Sequence, residues 1–327
     1  MKKVLFMPVG FFEYDKVIEE EMRNMGYEVT VFSPMASYGK LYQKVCNTIT
    51  KGNYIKNRAY KLQQIFFTEC EIQFDYVFAI VGRDIDARLF AEFKKKQKRA
   101  KFILYLWDDI ARINNFNNIC ALFDKIITFD SEDSKKYKYE FLPLFYTKNH
   151  LYQNQGKKYK LAMVASLHSE RIDIYRTIYQ KMKLGNDDSY LYVLAGSIQG
   201  YLKGKKQLKE VGIDSGNIHI YGLSMRKSIE KMCEAKIAVD VQFGSQAGLT
   251  MRTIESLATK TKLITTNEHV KEYDFYNPAN ICVINKNNVE VPKEFFETPY
   301  QEIDTEILEK YSLKNWLKEI LSSESKE

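Results

Sequence analysis

Short apolar runs separated by charged, helix-like segments recur along the chain and constrain its fold more than any other feature. In the first half these runs are VLFMPV (4–9), YEVTVFSP (27–34), YVFAIVG (76–82), FILYLW (102–107) and KIITFD (125–130). Strands that are apolar throughout and alternate with helices are typical of a parallel sheet covered on both faces. The pattern therefore predicts a doubly wound α/β domain, which binds its ligands at the carboxyl ends of the strands.

A second series of apolar runs follows a polar segment, TKNHLYQNQGKKY (147–159). Its members are KLAMVAS (160–166), LYVLAG (191–196), IHIYG (218–222), IAVDVQ (237–242), KLITTN (262–267) and ICVIN (281–285). A length of 327 residues also favours two domains. We place them at 1–150 and 151–327, with an amphipathic helical segment at 304–321. We expect the strand ends of these two Rossmann-like domains to face a common cleft.

Several classes of protein are disfavoured by composition and by missing motifs. Hydrophobic residues make up 45% and charged residues 28% of the chain, which is ordinary for a globular protein. The longest apolar runs fall far short of the roughly 20 residues of a membrane-spanning helix. The N-terminal MKKVLFMPVGFF resembles a signal peptide, but Pro8 interrupts it and we interpret it as a strand. The cysteines are scattered along the sequence and suggest no disulfide framework, which favours the reducing cytoplasm as the compartment of the protein. Without GxGxxG or GxxxxGK[ST], a dehydrogenase or P-loop enzyme is disfavoured.

The net charge of +7 is concentrated in part of the first half. Residues 40–61 contain no acidic side chain and six basic ones, namely Lys40, Lys44, Lys51, Lys56, Arg58 and Lys61. Such a stretch suits an anionic partner, either a membrane surface, a lipid phosphate or a nucleic acid, and equally suits a solvated helix face. For the second basic run, KKKQKR at 94–99, the solvated helix face is the favoured interpretation.

The densest polar signal is the segment 240–257, DVQFGSQAGLTMRTIESL. A predicted strand ends near Gln242, a turn follows, and a helix then carries Arg252 and Glu255 on one face. A helix N-terminus with a hydroxyl, here Thr250, and an arginine is a good anion site. A glutamate one turn further on can accept hydrogen bonds from ribose hydroxyls. The alternative interpretation is a capped helix with an internal Arg–Glu ion pair.

The stretch 246–276, QAGLTMRTIESLATKTKLITTNEHVKEYDFY, resembles the C-terminal domain of bacterial GT-B glycosyltransferases from capsule, exopolysaccharide and lipopolysaccharide clusters. The similarity is greatest to the spore-maturation-type group, with an R-x-x-E-x-x-A helix before the LITTN strand. YLWDD (105–109), FDKIITFDSEDSKKY (123–137) and VASLHSERIDIY (164–175) are weaker matches. The resemblance implies a GT-B-like pair of Rossmann-like domains. The C-terminal one would hold a nucleotide sugar, the N-terminal one would face the acceptor, and the last helix would cross back.

The resemblance also assigns roles in donor binding. Glu255 would hold the ribose, and Arg252 the diphosphate, assisted by Thr250 and the backbone at Gly248. The family places a basic residue near phosphate just after the first strand of this domain. The other candidate donor-binding residues are Arg171, Ser166, Gln246 and Tyr221, of which Tyr221 ends a strand where the base would lie.

The sequence departs from many retaining GT-B enzymes, which carry two glutamates separated by seven residues. The position eight before Glu255 is Ala247, so a retaining mechanism of that type is in doubt. An inverting enzyme needs a base near the acceptor hydroxyl. Carboxylates at predicted strand ends supply the candidates, which are Asp108 as first choice, then Glu13 and Asp84, with Asp109 as the internal control. Asp130 and Asp133 are better interpreted as a helix cap.

No cofactor or metal is predicted, because arginines, lysines and helix N-termini can stabilise a departing diphosphate. The favoured function is a cytoplasmic glycosyltransferase of surface-polysaccharide synthesis with a UDP-sugar donor and an oligosaccharide or lipid-linked acceptor. The stretch 40–61 would face the membrane's inner surface or the acceptor's diphosphate. The alternatives are a nucleotide-sugar epimerase of the same architecture, a two-domain binding protein without catalysis, and a basic nucleic-acid-binding protein. No nucleic-acid partner is expected, because no recognised motif supports one.

Overall fold

The structure is a computed structural model that describes residues 1–10, 13–34, 53–151, 156–167, 170–242, 244 and 246–322, apart from the side chains of 53–55. The chain divides into two compact units. Unit 1 comprises Met1–Pro143 together with Leu317–Glu327, and unit 2 comprises Leu144–Trp316.

Unit 1 is built on a sheet of six parallel strands. They are β1 (Lys3–Met7), β2 (Glu28–Val31), β3 (Tyr76–Ile80), β4 (Lys101–Leu106), β5 (Lys125–Thr128) and β6 (Glu140–Phe141). Their spatial order is β2-β1-β3-β4-β5-β6, so the direction of winding reverses between β1 and β3. Residues Val4 to Phe6 and Val77 to Ala79 are fully buried, which explains why these strands have continuous apolar sequences.

Helices cover the sheet of unit 1 and bury aromatic side chains against it. They are α1 (Tyr14–Asn24), α2 (Asn53–Glu69), α3 (Ala87–Lys96), α4 (Phe116–Ile119) and α5 (Ser131–Tyr137). Phe67 of α2, Phe90 and Phe93 of α3, and Phe102 of β4 form one cluster of contacting rings. These four phenylalanines therefore pack at the interface between the helices and the sheet.

Unit 2 repeats the architecture with a different strand order. Its strands are β7 (Tyr159–Ser166), β8 (Ser189–Leu194), β9 (Ile218–His219), β10 (Ala235–Asp240), β11 (Lys262–Thr265) and β12 (Ile281–Val283). They are parallel and lie in the order β12-β11-β10-β7-β8-β9. Counted within the unit, this is the 3-2-1-4-5-6 order of the Rossmann fold, and the winding reverses between β7 and β10. The predicted α/β fold class is confirmed in both units.

The helices of unit 2 are α6 (Arg171–Lys181), α7 (Ile198–Glu210), α8 (Met225–Cys233), α9 (Met251–Ala258), α10 (Lys293–Glu297), α11 (Thr305–Lys310) and α12 (Leu313–Leu321), the last of which extends beyond the division at Trp316. The segment 304–321, which was predicted to be helical, consists of the two helices α11 and α12. The break has a clear cause, because the backbone of Tyr146 accepts from Leu313 N and donates to Tyr311 O. These hydrogen bonds to another segment replace a turn of helix.

Candidate functional site

The carboxyl ends of β7 and β10 form the point at which the strand order of unit 2 reverses, and doubly wound sheets bind ligands at such a point. Arg171, the first residue of α6, spans the two strands. Its Nε donates to the carbonyl oxygen of Val241 at 3.0 Å, and its Nη1 to that of Ser166 at 3.3 Å. Burial lowers the pKa of this guanidinium, and nearby Asp240 partly offsets the effect. The predicted candidates Arg171 and Ser166 therefore lie together.

Asp240, the last residue of β10, belongs to the same group of polar residues. The hydroxyl of Thr250 donates to its Oδ2 at 2.7 Å. Burial raises the pKa of the Asp240 carboxyl, although Thr250 and two arginines favour its charged form. Thr250 is also the N-cap of α9, since its hydroxyl accepts from the backbone of Thr253. We did not predict a role for Asp240, and its only sequence signal is a carboxylate inside an otherwise apolar strand.

The predicted pair Arg252 and Glu255 forms an ion pair on α9. Arg252 Nη1 lies 2.9 Å from Glu255 Oε2, and Arg252 Nη2 donates to the hydroxyl of Ser228 at 3.2 Å. Glu255 is only 5% exposed, and α9 is buried from Thr253 to Ala258. The structure thus contains the ion pair that the alternative interpretation describes, and it places that pair beside the strand-end cluster.

His150 is a further member of this group, and no sequence pattern pointed to it. It lies in a 3₁₀ turn, Lys148–His150, within a segment predicted to be a polar linker, yet its side chain is fully buried. Its Nε2 lies 3.2 Å from Glu255 Oε1. A lone histidine among polar residues carries no pattern that indicates burial, so only the fold reveals this contact.

The turn before α9 is held by hydrogen bonds from Asn267, which is buried at the end of β11. Its side-chain amide donates to the carbonyl oxygens of Ala247 and Gly248, each at 3.2 Å. Gly248 is itself buried, and Gln246 is partly exposed. These contacts fix the backbone that leads into the N-terminus of α9, where the sequence predicts an anion site.

Tyr221 lies at the same edge of the sheet but outside this cluster. It follows β9, three strand spacings from β10, which corresponds to roughly 14 Å. Its side chain is exposed (82%), and its carbonyl oxygen accepts from the hydroxyl of Tyr192 at 2.8 Å. Tyr192 in turn stacks on His219. The two aromatic residues therefore support the backbone beneath an exposed tyrosine ring.

Unit 1 has a cavity at its own reversal point, between the ends of β1 and β3. Its volume is about 180 Å³, and its lining includes Pro8, Val81, Arg83 and Asp84. Val81 has a φ of 64°, and Gly82 N donates to the carbonyl oxygen of Ile80, so the strand ends in a γ-turn with a left-handed centre. A β-branched residue rarely adopts this conformation, which stores strain beside the cavity.

Two adjacent aspartates beyond β4 differ in their surroundings. Asp108, the predicted base, lies 2.7 Å from Arg83 Nη2 and 3.7 Å from Arg112 Nη1. Asp109 lies 3.3 Å from Arg112 Nε, and its pKa is raised to about 6, mainly by burial and further by three aspartates, with Arg112 opposing. Within the described ranges its buried Oδ1 has no hydrogen-bond partner. Asp109 therefore holds a proton more readily than an ordinary aspartate.

The other carboxylates of unit 1 have simpler positions. Asp130 accepts from the backbone of Glu132 and Asp133, which confirms its predicted role as the cap of α5. Glu13 is exposed just before α1, and its side chain makes no capping hydrogen bond. Asp84 is exposed at the rim of the cavity.

The basic run at 94–99 behaves as a solvated face with local partners. Lys94 pairs with Asp124, Lys95 with Glu92, and Lys96 donates to the carbonyl oxygen of Thr68. In the stretch 40–61, Lys40, Lys44 and Lys51 lie outside the described residues, and Lys56, Arg58 and Lys61 lie on α2. No helix in the described part of the chain is long and apolar enough to cross a membrane.

Comparison with known proteins reveals similarity in fold rather than in sequence. The sequence matches no known family profile and no curated protein. Among solved structures, HepE (Alr3699) of Anabaena, in complex with UDP-glucose, superposes with a TM-score of 0.61 over 98% of each chain, at 9% identity. A glycosyltransferase from Rickettsia africae gives 0.58 over 99% of each chain at 14% identity. Sucrose-phosphate synthase from Thermosynechococcus elongatus gives 0.54 at 8% identity, over 99% of this chain and 90% of the synthase. These likenesses confirm the predicted resemblance to GT-B glycosyltransferases at the level of the fold.

Proposed function

We propose that the protein is a glycosyltransferase that acts in surface-polysaccharide synthesis. It would transfer a hexose from a UDP-sugar to an oligosaccharide or lipid-linked acceptor. The observation that carries this proposal is the cluster at the reversal point of unit 2. Arg171, Arg252 and the N-terminus of α9 converge there with two carboxylates, Asp240 and Glu255. Cationic donors and the backbone amides of a helix N-terminus suit a diphosphate, and a carboxylate suits vicinal hydroxyls.

The positions of the remaining candidates are consistent with a nucleotide that lies along the edge of this sheet. Arg252 and Arg171 would hold the diphosphate, with Thr250, Ser166, Gly248 and Gln246 beside it. Glu255 would bind the ribose, and Tyr221, roughly 14 Å along the edge, would offer its exposed ring to the base. UDP is the favoured nucleotide because HepE, a protein of the same fold, has been crystallised with UDP-glucose.

The departing diphosphate needs charge stabilisation, which two arginines and a helix N-terminus can supply without a metal ion. We therefore propose a metal-independent transfer. Turnover measured after dialysis against a chelator should equal that of the untreated enzyme. A loss of activity that Mg²⁺ or Mn²⁺ restores would contradict this part of the proposal.

Unit 1 offers a general base for an inverting transfer. Asp108, our first choice from sequence, lies 2.7 Å from Arg83 and 3.7 Å from Arg112, so its carboxylate is engaged by two guanidinium groups. Asp109 has a pKa of about 6, close to the range in which a carboxylate is both ionised at neutral pH and able to take up a proton. We propose that Asp109 removes the proton of the acceptor hydroxyl, and that Asp108 positions the neighbouring arginines.

A location at the inner face of the cell membrane is the corresponding proposal for the basic stretch 40–61. Each lysine or arginine near an anionic bilayer contributes about 1 kcal/mol of binding. Replacing Lys56, Arg58 and Lys61 of α2 by glutamine should therefore release the protein from phosphatidylglycerol vesicles. The matched control replaces Lys94, Lys95 and Lys96 in the same way. Equal co-sedimentation of both variants and the wild type would reject the role.

The donor proposal is tested by a thermal-shift screen of UDP-, GDP-, CMP- and dTDP-sugars, followed by product analysis. A ligand at 100 times its dissociation constant should stabilise the fold by about 2.7 kcal/mol. We expect UDP-sugars to stabilise the protein and a labelled sugar to move to extracted lipid or oligosaccharide acceptors. Release of an isomerised nucleotide sugar would instead identify an epimerase, and no stabilisation by any nucleotide would overturn the proposal.

A further inference from the structure

We propose that helix α7 of unit 2 contacts an anionic phospholipid bilayer through two exposed aliphatic side chains and the lysines that follow them. The aliphatic residues are Ile198 and Leu202. The inference rests on the membrane location proposed above and extends it to unit 2. Its surface shares no residue with the basic stretch 40–61 or with the cluster at the reversal point.

The two aliphatic side chains of α7 are unusually exposed. Ile198 is 61% and Leu202 is 63% exposed, and they are the most exposed isoleucine and leucine in the described part of the chain. They lie four residues apart, so they occupy adjacent turns on one face of the helix. Single apolar residues are ordinary on a protein surface, whereas an adjacent pair with this exposure forms a patch that is unfavourable in water.

The packing of α7 against the sheet fixes the direction of this face. Gly204 and Leu208 are buried. A Cβ atom at Gly204 would lie 2.7 Å from Cδ1 of Ile218 in β9, so the glycine allows the helix to lie close to the sheet. Successive residues of a helix are about 100° apart, and Leu202 lies two residues before Gly204. Its side chain is therefore directed away from the sheet.

The second half of α7 carries a positive charge. The helix contains one acidic residue, Glu210, which lies 3.8 Å from Lys206 in an exposed ion pair. Its lysines are Lys203, Lys205, Lys206 and Lys209. By their helical spacing, all except Lys203 lie on the same half of the helix as the aliphatic pair. The outer face of α7 is thus apolar over its first two turns and basic over the rest.

A third exposed aliphatic residue lies at the same edge of the sheet. Ile220 directly follows β9 and is 41% exposed. The backbone N–H of Ala195, just beyond β8, donates to the carbonyl oxygen of His219 at 2.8 Å, so the ends of β8 and β9 lie side by side. Helix α7 begins four residues after β8 ends. This edge of unit 2 therefore carries exposed aliphatic residues after two neighbouring strands.

The combination of side chains selects the partner. An anionic bilayer takes up aliphatic side chains at the boundary of its acyl chains and attracts lysines to its headgroups. A nucleic acid is bound mainly through its phosphates, which would leave Ile198 and Leu202 in water. A second copy of the chain fits less well, because a two-fold contact through α7 would bring two lysine-rich surfaces together.

The experiment measures binding of the full chain to vesicles of phosphatidylcholine and phosphatidylglycerol, as the lipid concentration that binds half of the protein. One variant, Ile198→Ser with Leu202→Ser, removes the aliphatic pair. A second variant removes the charge and keeps the pair by three substitutions, Lys205→Gln, Lys206→Gln and Lys209→Gln. The matched control, Val31→Ser with Ile72→Ser, replaces two aliphatic residues of unit 1 that are 42% and 41% exposed.

Both α7 variants should need more lipid than the wild type, and the control should not. We expect an increase of about tenfold or more for the serine variant, because two aliphatic side chains no longer leave water. The increase for the glutamine variant should be roughly 100-fold, since each lysine near an anionic bilayer contributes to binding. Added salt should shrink the effect of the glutamine variant and leave that of the serine variant, because an apolar contact is not screened.

The outcomes separate this inference from the proposals on which it rests. If the wild type binds vesicles and the serine variant binds them equally well, α7 is not a bilayer contact, and the membrane role of 40–61 stands. A wild type that binds no vesicles overturns both ideas and leaves the donor site untouched. Self-association that the serine variant abolishes, or RNA binding without vesicle binding, would identify another partner and overturn the inference. Should the serine variant not fold, the glutamine variant decides the question in the same way.

Discussion

Each of the two parallel sheets has a point at which its strand order reverses, but the residues at these two points differ in kind. At that of unit 2, charged side chains are paired and tied to strand ends, with Arg171 across β7 and β10 and Glu255 between Arg252 and His150. At that of unit 1, a cavity of about 180 Å³ lies beside a strained turn at Val81. The reversal point of unit 2 thus carries a preorganised set of charged side chains, whereas that of unit 1 contains an open cavity.

The comparison extends to the carboxylates of each unit. Asp240 accepts a hydrogen bond from the hydroxyl of Thr250, and Arg171 and Arg252 favour its charged form. Glu255 lies 2.9 Å from Arg252. In unit 1, Arg112 is shared by Asp108 and Asp109, and the pKa of Asp109 is raised to about 6. Paired charges suit the binding of a charged ligand, whereas an imperfectly compensated carboxylate suits proton transfer.

The largest effect is expected when Asp109 is replaced by asparagine. If Asp109 is the base, turnover should fall by roughly 10²–10⁴-fold, while the affinity for UDP, whose site we propose lies in unit 2, should not change. Initial rates and calorimetry on the same protein measure the two quantities. Asp108→Asn is the matched control and should retain most activity. The reverse result would return the role of base to Asp108, and full activity of both variants would reject an aspartate base at this position.

The second prediction compares one ion pair from each unit by its effect on folding. Removing one partner of a buried pair leaves an uncompensated charge and costs about 3–5 kcal/mol. Glu255→Ala should therefore lower the free energy of unfolding by that amount, besides weakening nucleotide binding. Arg83→Ala breaks the partly exposed ion pair with Asp108. Exposed ion pairs in proteins contribute about 0–1 kcal/mol to the free energy of unfolding, so the loss should be of that size. Urea titrations that give equal losses for both variants would remove the energetic contrast between the units.

The third prediction concerns the pH dependence of stability that Asp109 creates. Its folded-state pKa is raised, so the folded protein binds more protons than the unfolded chain between about pH 4 and pH 6. The free energy of unfolding is therefore highest, as far as this group is concerned, below about pH 4, and it falls as the pH rises through 6. Relative to the wild type, Asp109→Asn should gain about 1–2 kcal/mol between pH 4 and pH 7.5, allowing for solvent screening. A difference that does not vary with pH would show that Asp109 titrates normally.

The smallest effect is expected at Tyr221, whose side chain is 82% exposed. Stacking on a base contributes about 1–3 kcal/mol where it has been tested. Tyr221→Ser should therefore weaken UDP binding several-fold or more without changing the melting temperature. Tyr221→Phe, which keeps the ring, should bind UDP as the wild type does. If the serine variant binds equally well, the base lies elsewhere on the edge of the sheet.

The fold was largely predictable because burial on both faces of a parallel sheet imposes long apolar runs. The strands at 76–82 and 102–107 were located to within two residues at each end. β6 was missed, since its two residues, Glu140 and Phe141, are both exposed and carry no such signal. The break between α11 and α12 was also missed, because it depends on hydrogen bonds to Tyr146, far away in sequence.

The site was predictable where its residues are close in sequence and not where the fold assembles them. Arg252 and Glu255 lie three residues apart on a helix that Thr250 caps, so their spacing shows that they share a face. His150 and Asp240 join them only through the packing of unit 2. The contrast between Asp108 and Asp109 likewise depends on the fold, which raises the pKa of Asp109 mainly by burial and places Arg83 beside Asp108.

The central claim, that the reversal point of unit 2 binds the nucleotide, is tested most directly by hydrogen exchange of the full chain with and without saturating UDP. Binding should slow exchange at the ends of β7 and β10 and in the first turn of α9, from Thr250 onward. It should leave the amides around Val81 and Asp109 unchanged. Protection confined to those unit 1 amides, with none at the start of α9, would contradict the account.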